Sequence, residues 1–489
     1  MRLTGDQVTI LVTVAALVID WIVRIIAIIV VPRNRKPTAG MAWLLAIFFI
    51  PYIGIVLYLL IGNPKLPRAI RAKQAEVNRV LRQATQGVER VTDRSTWPAW
   101  FSGLVYMNWR LGALPMVGGN SARLHYDYEA TLAAMTSAIS GAQRTVHLQS
   151  YILELDSTTS PLFEAIRAAV ARGVTVRVLL DHVATARSWR GRATVRALNS
   201  TGASWSFMMP FQPFKGKVQR PDLRNHRKIL VVDGEVAFSG SLNIIDRSYN
   251  KRANRRRGLQ WVELVGEFRG PIVSGLDAVF ATDWYLETGE VLDRSVVEFA
   301  QPSQSENLDC QVVPSGPGFP NENNLKLFLA LLYGATEQII ITSPYFVPNE
   351  ALMSAISSAT QRGVRVELFV SEISDQALVY HAQRSYYEAL LKAGVRIWMY
   401  RAPFILHSKH VTVDGDIAVI GSSNMDIRSF ELNKESSVLV RGERFVQDLR
   451  EVEQRYRDAS VELDLDTWRA QPLRSTVLDN LARLTSALQ

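Results

Sequence analysis

Two segments carry the residues best suited to reaction chemistry. His226 and Lys228 lie in NHRKILVVDG, and His407 and Lys409 lie in LHSKHVTVDG. In an extended strand residues two apart face the same side, so each segment presents an imidazole and an ammonium together. That combination suits a phosphate ester. A neutral imidazole, with a pKa of about 6.5, can attack phosphorus while lysine neutralises the oxygens that gain charge in the transition state. The pairs Asp233-Gly234 and Asp414-Gly415 predict two-residue hairpin turns that fold each strand straight back. The returning strands then bring Ser241 and Asn243, or Ser422 and Asn424, toward the same end, where their donors suit phosphate oxygens. A nucleophilic histidine also needs its second nitrogen fixed, usually by a carboxylate. Glu263 in QWVEL and Glu435 in NKESSV are the candidates, 37 and 28 residues beyond the histidine of their own motif.

These segments belong to an internal duplication. Residues 225–248 align without a gap on residues 406–429, at a constant offset of 181. Upstream, TVHLQSYIL (145–153) reads as a strand, SPLFEAIRAAVARG (160–173) as a helix ending at glycine, and VTVRVLLD (174–181) as a buried strand. The same order returns in IIITSPYFV (339–347), EALMSAISSATQRG (350–363) and VRVELFV (364–370), with Tyr151 and Tyr345 closing the first strand of each copy. Two units of this length are too few and too large for a solenoid. Two similar α/β lobes sharing one site fit better, over residues 111–295 and 296–489.

With 48% apolar and 21% charged residues in a chain of 489, disorder, a collagen-like repeat and a disulfide-stapled miniprotein are excluded. The formal charge of +9 is unevenly spread. Residues 1–63 carry five cations against two acids, residues 64–97 eight against three, and residues 215–257 twelve against four, which leaves the rest of the chain net negative. The basic regions ask for an anionic partner. Val8 to Val31 contains only Asp20 and Arg24 as charges, an i, i+4 pair that can neutralise on one helix face, and Ala39 to Gly62 contains none. Each stretch is long enough, as one helix, for a hydrocarbon core of about 30 Å, so residues 1–63 read as a transmembrane hairpin. A cleaved signal peptide fits less well, because the first run is too long and a second follows it. Cations flank the hairpin at Arg33, Arg35 and Lys36 and again at Lys65, Arg68, Arg71 and Lys73; the longer run favours a cytoplasmic body. Residues 64–110 form a basic juxtamembrane linker, with a charged helix over 71–94 that either attracts headgroups or is simply solvated.

Other features have plainer readings. His410 lies three after His407, which on a strand puts it on the opposite face, so a metal pair is disfavoured. His125, His147, His182 and His381 lack a partner motif and read as structural. Cys310 is the sole cysteine, so no intramolecular disulfide forms. The Trp-rich 97–109 segment fits a membrane interface or a core-packing helix equally well. Residues 204–217 fit a lipid-contacting loop or packing between lobes. Arg252, Arg255, Arg256 and Arg257 form an inserted basic cluster for which, beside a membrane hairpin, anionic headgroups are the simplest target. Lys326 and the GPG turn within residues 313–324 are candidates for the site entrance.

The two HxKxxxxD segments, each followed by GSxN, resemble the paired motifs of the phospholipase D superfamily. The whole chain is similar to bacterial cardiolipin synthases, through the NRKP-type turn, NHRKILVVDG, GSLNIIDR, SPYFVPNEAL and LHSKHVTVDG. The resemblance implies an N-terminal transmembrane helical hairpin followed by two phospholipase D-like α/β lobes related by pseudo-two-fold symmetry. It implies that both histidines face one phosphodiester, one becoming phosphohistidine and the other serving as general acid and base. We assign His226 as the nucleophile and His407 as the acid and base, an assignment that the near symmetry of the two motifs leaves open. Asp233 and Asp414 would brace the motifs, and no metal or other cofactor is implied. The implied enzyme is a phosphatidyltransferase of the inner membrane that joins two phosphatidylglycerol molecules into cardiolipin and releases glycerol. Its implied partners are phosphatidylglycerol and anionic membrane lipid rather than nucleic acid, with homo-oligomerisation left open. A phospholipase D releasing phosphatidic acid is the nearest alternative, since only the acceptor differs; a tethered nuclease and a non-catalytic lipid scaffold fit less well.

Overall fold

A computed structural model of the chain describes residues 5–33, 37–62, 68–84, 94–212, 217–292, 307–319 and 322–484. Arg35, Lys36 and Lys65, invoked above as flanking cations, lie outside the described residues. The chain divides into an N-terminal unit, residues 1–65 with 220–222, and a large unit formed by the remainder.

In the N-terminal unit the first apolar run is a single helix, Gly5–Val30, in which Asp20 and Arg24 pair at 2.8 Å. Among the described residues it is the one helix long and apolar enough to cross a membrane. The second run departs from the expected single span. It forms two shorter helices, Pro37–Phe49 and Pro51–Ile61. Pro51 lacks an N–H and its ring disfavours helical geometry in the residue before it, so Ile50 leaves the helix at φ −133° and ψ 67°. The two pieces pack closely because residue 54 is glycine: a Cβ there would stand 2.6 Å from the Ala46 carbonyl oxygen.

The large unit is built on one sheet of fifteen strands. In chain order these are β1 (Met116–His125), β2 (Thr145–Ser150), β3 (Thr175–Asp181), β4 (Ser204–Met208), β5 (Ile229–Val232), β6 (Val236–Gly240) and β7 (Val265–Arg269). The second half adds β8 (Leu308–Ser315), β9 (Gln338–Thr342), β10 (Arg365–Ser371), β11 (Arg396–Tyr400), β12 (His410–Val413), β13 (Ile417–Gly421), β14 (Glu435–Arg441) and β15 (Ser460–Leu463). From the middle outward the first half runs β1-β7-β6-β5-β2-β3-β4 and the second β8-β14-β13-β12-β9-β10-β11, with β15 at the outer edge. Each strand of one half thus has its counterpart seven strands later, the pseudo-two-fold arrangement. β1 and β8 pair antiparallel, with Val117 opposite Cys310, so the halves share a continuous sheet.

Helices cover both faces, and the strand pattern follows from this. In β5, Ile229 and Val231 join the core under helices Ile272–Thr288 and Glu443–Asp458, while Leu230 and Val232 join the core under Tyr128–Gly141 and Ser160–Ala171. Burial on both sides removes the polar alternation of a half-exposed strand. The Trp-rich segment forms helix Ala99–Gly112 and packs Phe101, Leu104 and Val105 into the core, the second of its two readings. The basic helix, Arg68–Ala84, is not a plain solvated rod: Gln74 and Asn78 are buried on it and Leu81 packs against the core. In the 204–217 segment Met208 and Met209 are buried against Leu223 and Trp284, so its described part packs within the body.

Candidate active site

Each motif is braced from behind by its aspartate. The connections after β5 and β12 hold three residues, not two: Val232 pairs with Val236 and Val413 with Ile417. Asp233 and Asp414 open these turns in the left-handed region, at φ 55° and 51°, a conformation aspartate tolerates through local hydrogen bonding. The Asp233 carboxylate accepts from the amides of Gln143, Arg144 and Thr145 at 2.7 to 2.8 Å. Asp414 accepts from the amides of Thr336, Glu337 and Gln338 at 2.8 to 3.0 Å. Both thereby clamp the start of a neighbouring strand, at the opposite end of the motif from its histidine. Burial alone would raise the Asp414 pKa, but these amides hold it below the ordinary value.

The histidines lie in extended chain just before β5 and β12 rather than inside those strands. Parallel pairing across the two halves sets their position. Strand Phe404–Leu406 pairs with Gln260–Val262, Leu406 opposite Val262, and the His407 amide donates to the Val262 carbonyl at 2.7 Å. The next residue on each chain is therefore His407 and Glu263. The other half repeats the construction: Asn225 bridges Lys434, the His226 amide donates to the Lys434 carbonyl at 2.8 Å, and His226 and Glu435 come next.

The result corrects the expected pairing of histidine and glutamate within one motif. His226 Nδ1 lies 3.0 Å from Glu435 Oε2, and His407 Nδ1 lies 2.8 Å from both oxygens of Glu263. Each histidine is held by the carboxylate of the opposite half. Lys228 Nζ donates to the His226 carbonyl at 2.8 Å and Lys409 Nζ to the His407 carbonyl at 2.6 Å, which leaves two donors on each ammonium. All six side chains belong to residues no more than 9% exposed.

The serines do not act as free phosphate donors. Ser241 Oγ donates to the Leu264 carbonyl and accepts from its amide, whereas Ser422 Oγ donates to Glu435 Oε2 at 2.6 Å and accepts from the Ser436 amide. Each hydroxyl thereby holds the segment that carries Glu263 or Glu435. Asn243 donates to the Tyr249 hydroxyl at 2.7 Å, and Tyr249 donates onward to Glu263 at 3.3 Å. Among the described residues, Asn243 Oδ1 and Asn424 Oδ1 are buried without a hydrogen-bond partner, acceptors available to a hydroxyl.

Several neighbours of the histidines are not assigned to the site by the sequence reading. The Tyr151 ring meets His226 edge-on at 4.8 Å, and Tyr345 and Tyr249 meet His407 at 6.4 and 6.2 Å. The matching positions of Tyr151 and Tyr345 in the duplicated strands were the available signal. Beneath His226, the buried Asp283 carboxylate accepts from Arg227 at 2.7 Å, Lys434 at 2.9 Å, Gln149 at 2.7 Å and Asn225 at 2.8 Å. Arg227 Nε also donates to the Glu435 carbonyl at 3.0 Å. This network ties both sides of the His226–Glu435 pair together, and the second motif has Ser408 at the position of Arg227. His410 faces away, 3.3 Å from Glu453.

The electrostatics are also unequal. Burial pushes the Lys228 ammonium down to about 8 and Lys409 down to about 7. Burial lowers both histidines, and for His407, brought well below its ordinary value, Lys409 and Lys228 add to the effect. Burial raises Glu263 to about 7. Burial works the same way on Glu435, but His226, Lys228 and Ser422 outweigh it and hold that carboxyl below its ordinary value. The His226–Glu435 pair is thus the one with a firmly ionised carboxylate. An Nδ1–H donated to it leaves Nε2 with a free lone pair.

Residues 135–267 and 328–456 each match the domain family described as "Cardiolipin synthase, PLD-like domain". Over 466 residues the chain is 33% identical to the cardiolipin synthase A of Yersinia pseudotuberculosis, covering 93% of this chain and 94% of that one. The chain belongs to the cardiolipin synthase family. The cardiolipin synthase A of Yersinia pestis is equally similar, at 33% identity over the same coverage. The first family match holds His226 and Glu263 and the second His407 and Glu435, so each domain copy contributes one half of both crossed pairs. Residues 22–63 match a second family, "Phospholipase_D-nuclease N-terminal". In fold, the chain resembles the crystal structure of phosphatidylserine synthase from Haemophilus influenzae, with a TM-score of 0.60 at 15% identity over 79% of this chain and 100% of that one.

Proposed function

We propose that the protein transfers a phosphatidyl group from one phosphatidylglycerol to another at the bacterial membrane, giving cardiolipin and free glycerol. The observation that carries this reading is the crossed pair of carboxylate-held imidazoles beside two buried lysines. In the first step His226 Nε2 attacks phosphorus, the P–O bond to the headgroup glycerol breaks, and His407 gives that oxygen a proton. The product is phosphatidyl-histidine at His226. In the second step neutral His407 takes the proton from a glycerol hydroxyl of the second phosphatidylglycerol as that oxygen attacks phosphorus and the P–N bond breaks. Lys228 and Lys409 balance charge on the non-bridging oxygens in both steps. Glu435 stabilises the imidazolium character that His226 acquires, and Glu263 does the same for His407.

Asp233 and Asp414 act through the backbone and touch no substrate. The apolar N-terminal helices hold the body at the membrane, where acceptor lipid is concentrated and competes with water. Incubating the full chain with phosphatidylglycerol labelled in the headgroup and acyl chains tests the reading. Equal amounts of cardiolipin and glycerol are expected; phosphatidic acid as the sole lipid product would make it a hydrolase instead.

A further inference from the structure

Helix Leu473–Arg483 is docked inside out. A surface helix ordinarily buries its apolar stripe and turns polar residues to water. Here the side toward the body carries Ser475, Asp479 and Ala482, whereas Leu473, Val477, Leu481 and the adjoining Leu484 are 83, 56, 56 and 81% exposed. At 100° per residue these four fall within about 80° of one another, so they form a single outward stripe.

Polar contacts hold the other side. Asp479 lies 2.6 Å from His381 Nδ1 and accepts from Arg384 Nε at 3.2 Å, and Arg384 also donates to Ser475 at 3.1 Å. Arg384 further stacks over Trp468, 4.6 Å from the ring centroid. The docking charges are thereby neutralised internally, and the exposed cations of this helix are Arg474 and Arg483. His381 and Arg384 lie on helix Ala377–Arg384, whose exposed Leu378 adds to the apolar surface. Two residues before that helix, Asp375 accepts from the hydroxyl of Tyr345, the ring beside His407. The inverted helix is thus tied by one short path to the catalytic centre.

We propose that the Leu473–Arg483 face is a membrane-interface foot, which sits on anionic lipid and sets the depth and tilt of the active site against the bilayer. Leucines and valine on one side with arginines at the flank are the composition of a helix lying in the plane of an anionic interface. The occupant is lipid rather than a second copy because the family acts on membrane lipid and because the outward charges are cationic without matching acids on the stripe.

The full chain suits a direct test, since Cys310 is its sole cysteine and is buried. An environment-sensitive fluorophore is placed on Val477→Cys and, as a control, on Glu235→Cys in the turn after β5, remote from His226. In vesicles containing phosphatidylglycerol, the probe at 477 is expected to shift to the blue and to be quenched by spin-labelled lipid, while that at 235 is not. An unshifted probe at 477, or quenching by a labelled second copy but not by lipid, would overturn the proposal. Replacing Leu473, Val477 and Leu481 together by serine is expected to slow turnover of vesicle-borne phosphatidylglycerol by about fivefold or more relative to detergent-dispersed short-chain substrate. An unchanged ratio would also overturn it. The proposal rests on a lipid substrate, yet the fluorescence needs no turnover, so it fails or stands separately from the proposed chemistry.

Discussion

Glu435 stands 3.0 Å from His226 Nδ1 although 209 residues separate them, and Glu263 stands 2.8 Å from His407 Nδ1 across 144 residues. Neither histidine is completed by its own half. The duplication therefore yields a site that exists only when both copies are folded against each other along β1 and β8, which explains why the halves share a sheet instead of standing as separate lobes.

The crossing separates the effects of two conservative changes. Glu435→Gln removes the charge beside the proposed nucleophile and is expected to slow formation of the histidine adduct by about 100- to 10,000-fold. Glu263→Gln is expected to lower turnover while still permitting the adduct to form. Rapid-quench measurement of glycerol release distinguishes the two; an unimpaired first step in Glu435→Gln would refute the assignment.

His407 and the buried lysines together shape the alkaline limb. His226 must be neutral to attack, so kcat/KM rises with pH through its pKa, which burial holds below the ordinary histidine value. His407, in contrast, must carry the proton it gives to the leaving oxygen, and that form is lost as pH rises through its own, more strongly lowered pKa. Lys228 and Lys409 must be charged, and activity falls as pH passes through about 7 to 8. Arginine stays protonated throughout, so Lys409→Arg is expected to remove the step at about 7 and leave the fall that His407 sets, while lowering the maximum because its planar head fits the site imperfectly. A pH profile of kcat/KM measures both features.

Asp414 should govern stability more than chemistry. Its three amide contacts predict that Asp414→Ala costs roughly 2 to 4 kcal/mol, with turnover per folded molecule largely retained. The pH dependence has a definite sign. A folded pKa below the unfolded value, about 3.9, gives a contribution that is present above that value and lost as pH falls through the folded pKa. Thermal unfolding of wild type and variant between pH 7 and 3 should show their gap closing at the acid end.

Asp283 is expected to be the least replaceable acid outside the motifs. Asp283→Ala leaves Arg227 and Lys434 buried without their shared counter-charge, a defect of about 3 to 5 kcal/mol. Lys434 immediately precedes Glu435, so the surviving folded protein should also show a slower first step. Unfolding midpoints together with single-turnover rates test the two consequences.

Much of this was legible in the chain because it is local. The gapless repeat of two 24-residue segments exposed the duplication, and the strand-helix-strand runs from Thr145 and Gln338 onward follow from contiguous patterns. The glutamates were legible as types but not as partners. Their pairing depends on parallel register between 260–262 and 404–406, which no spacing along one copy records. The serines of GSxN were assigned to phosphate because proximity alone cannot tell a ligand donor from one engaged by Leu264 or Glu435. At Pro51 the chain did carry the signal, yet an uncharged run of sufficient length outweighed the rule that proline interrupts a helix. Asp283 gave no hint, because one acid among the three of Ile272–Thr288, Asp277, Asp283 and Glu287, resembles any surface carboxylate until the fold places four donors around it.

The central claim is that His226 takes the phosphatidyl group while His407 moves protons. Full-length His407→Ala is incubated with an acyl-labelled p-nitrophenyl ester of phosphatidic acid, whose leaving group needs no proton from residue 407. Quenched and digested under conditions that preserve P–N bonds, it should carry the phosphatidyl adduct on His226 by mass spectrometry. The same treatment of His226→Ala should give none. An adduct on His407 in that variant, or cardiolipin formation without residue 226 as histidine, would contradict the account.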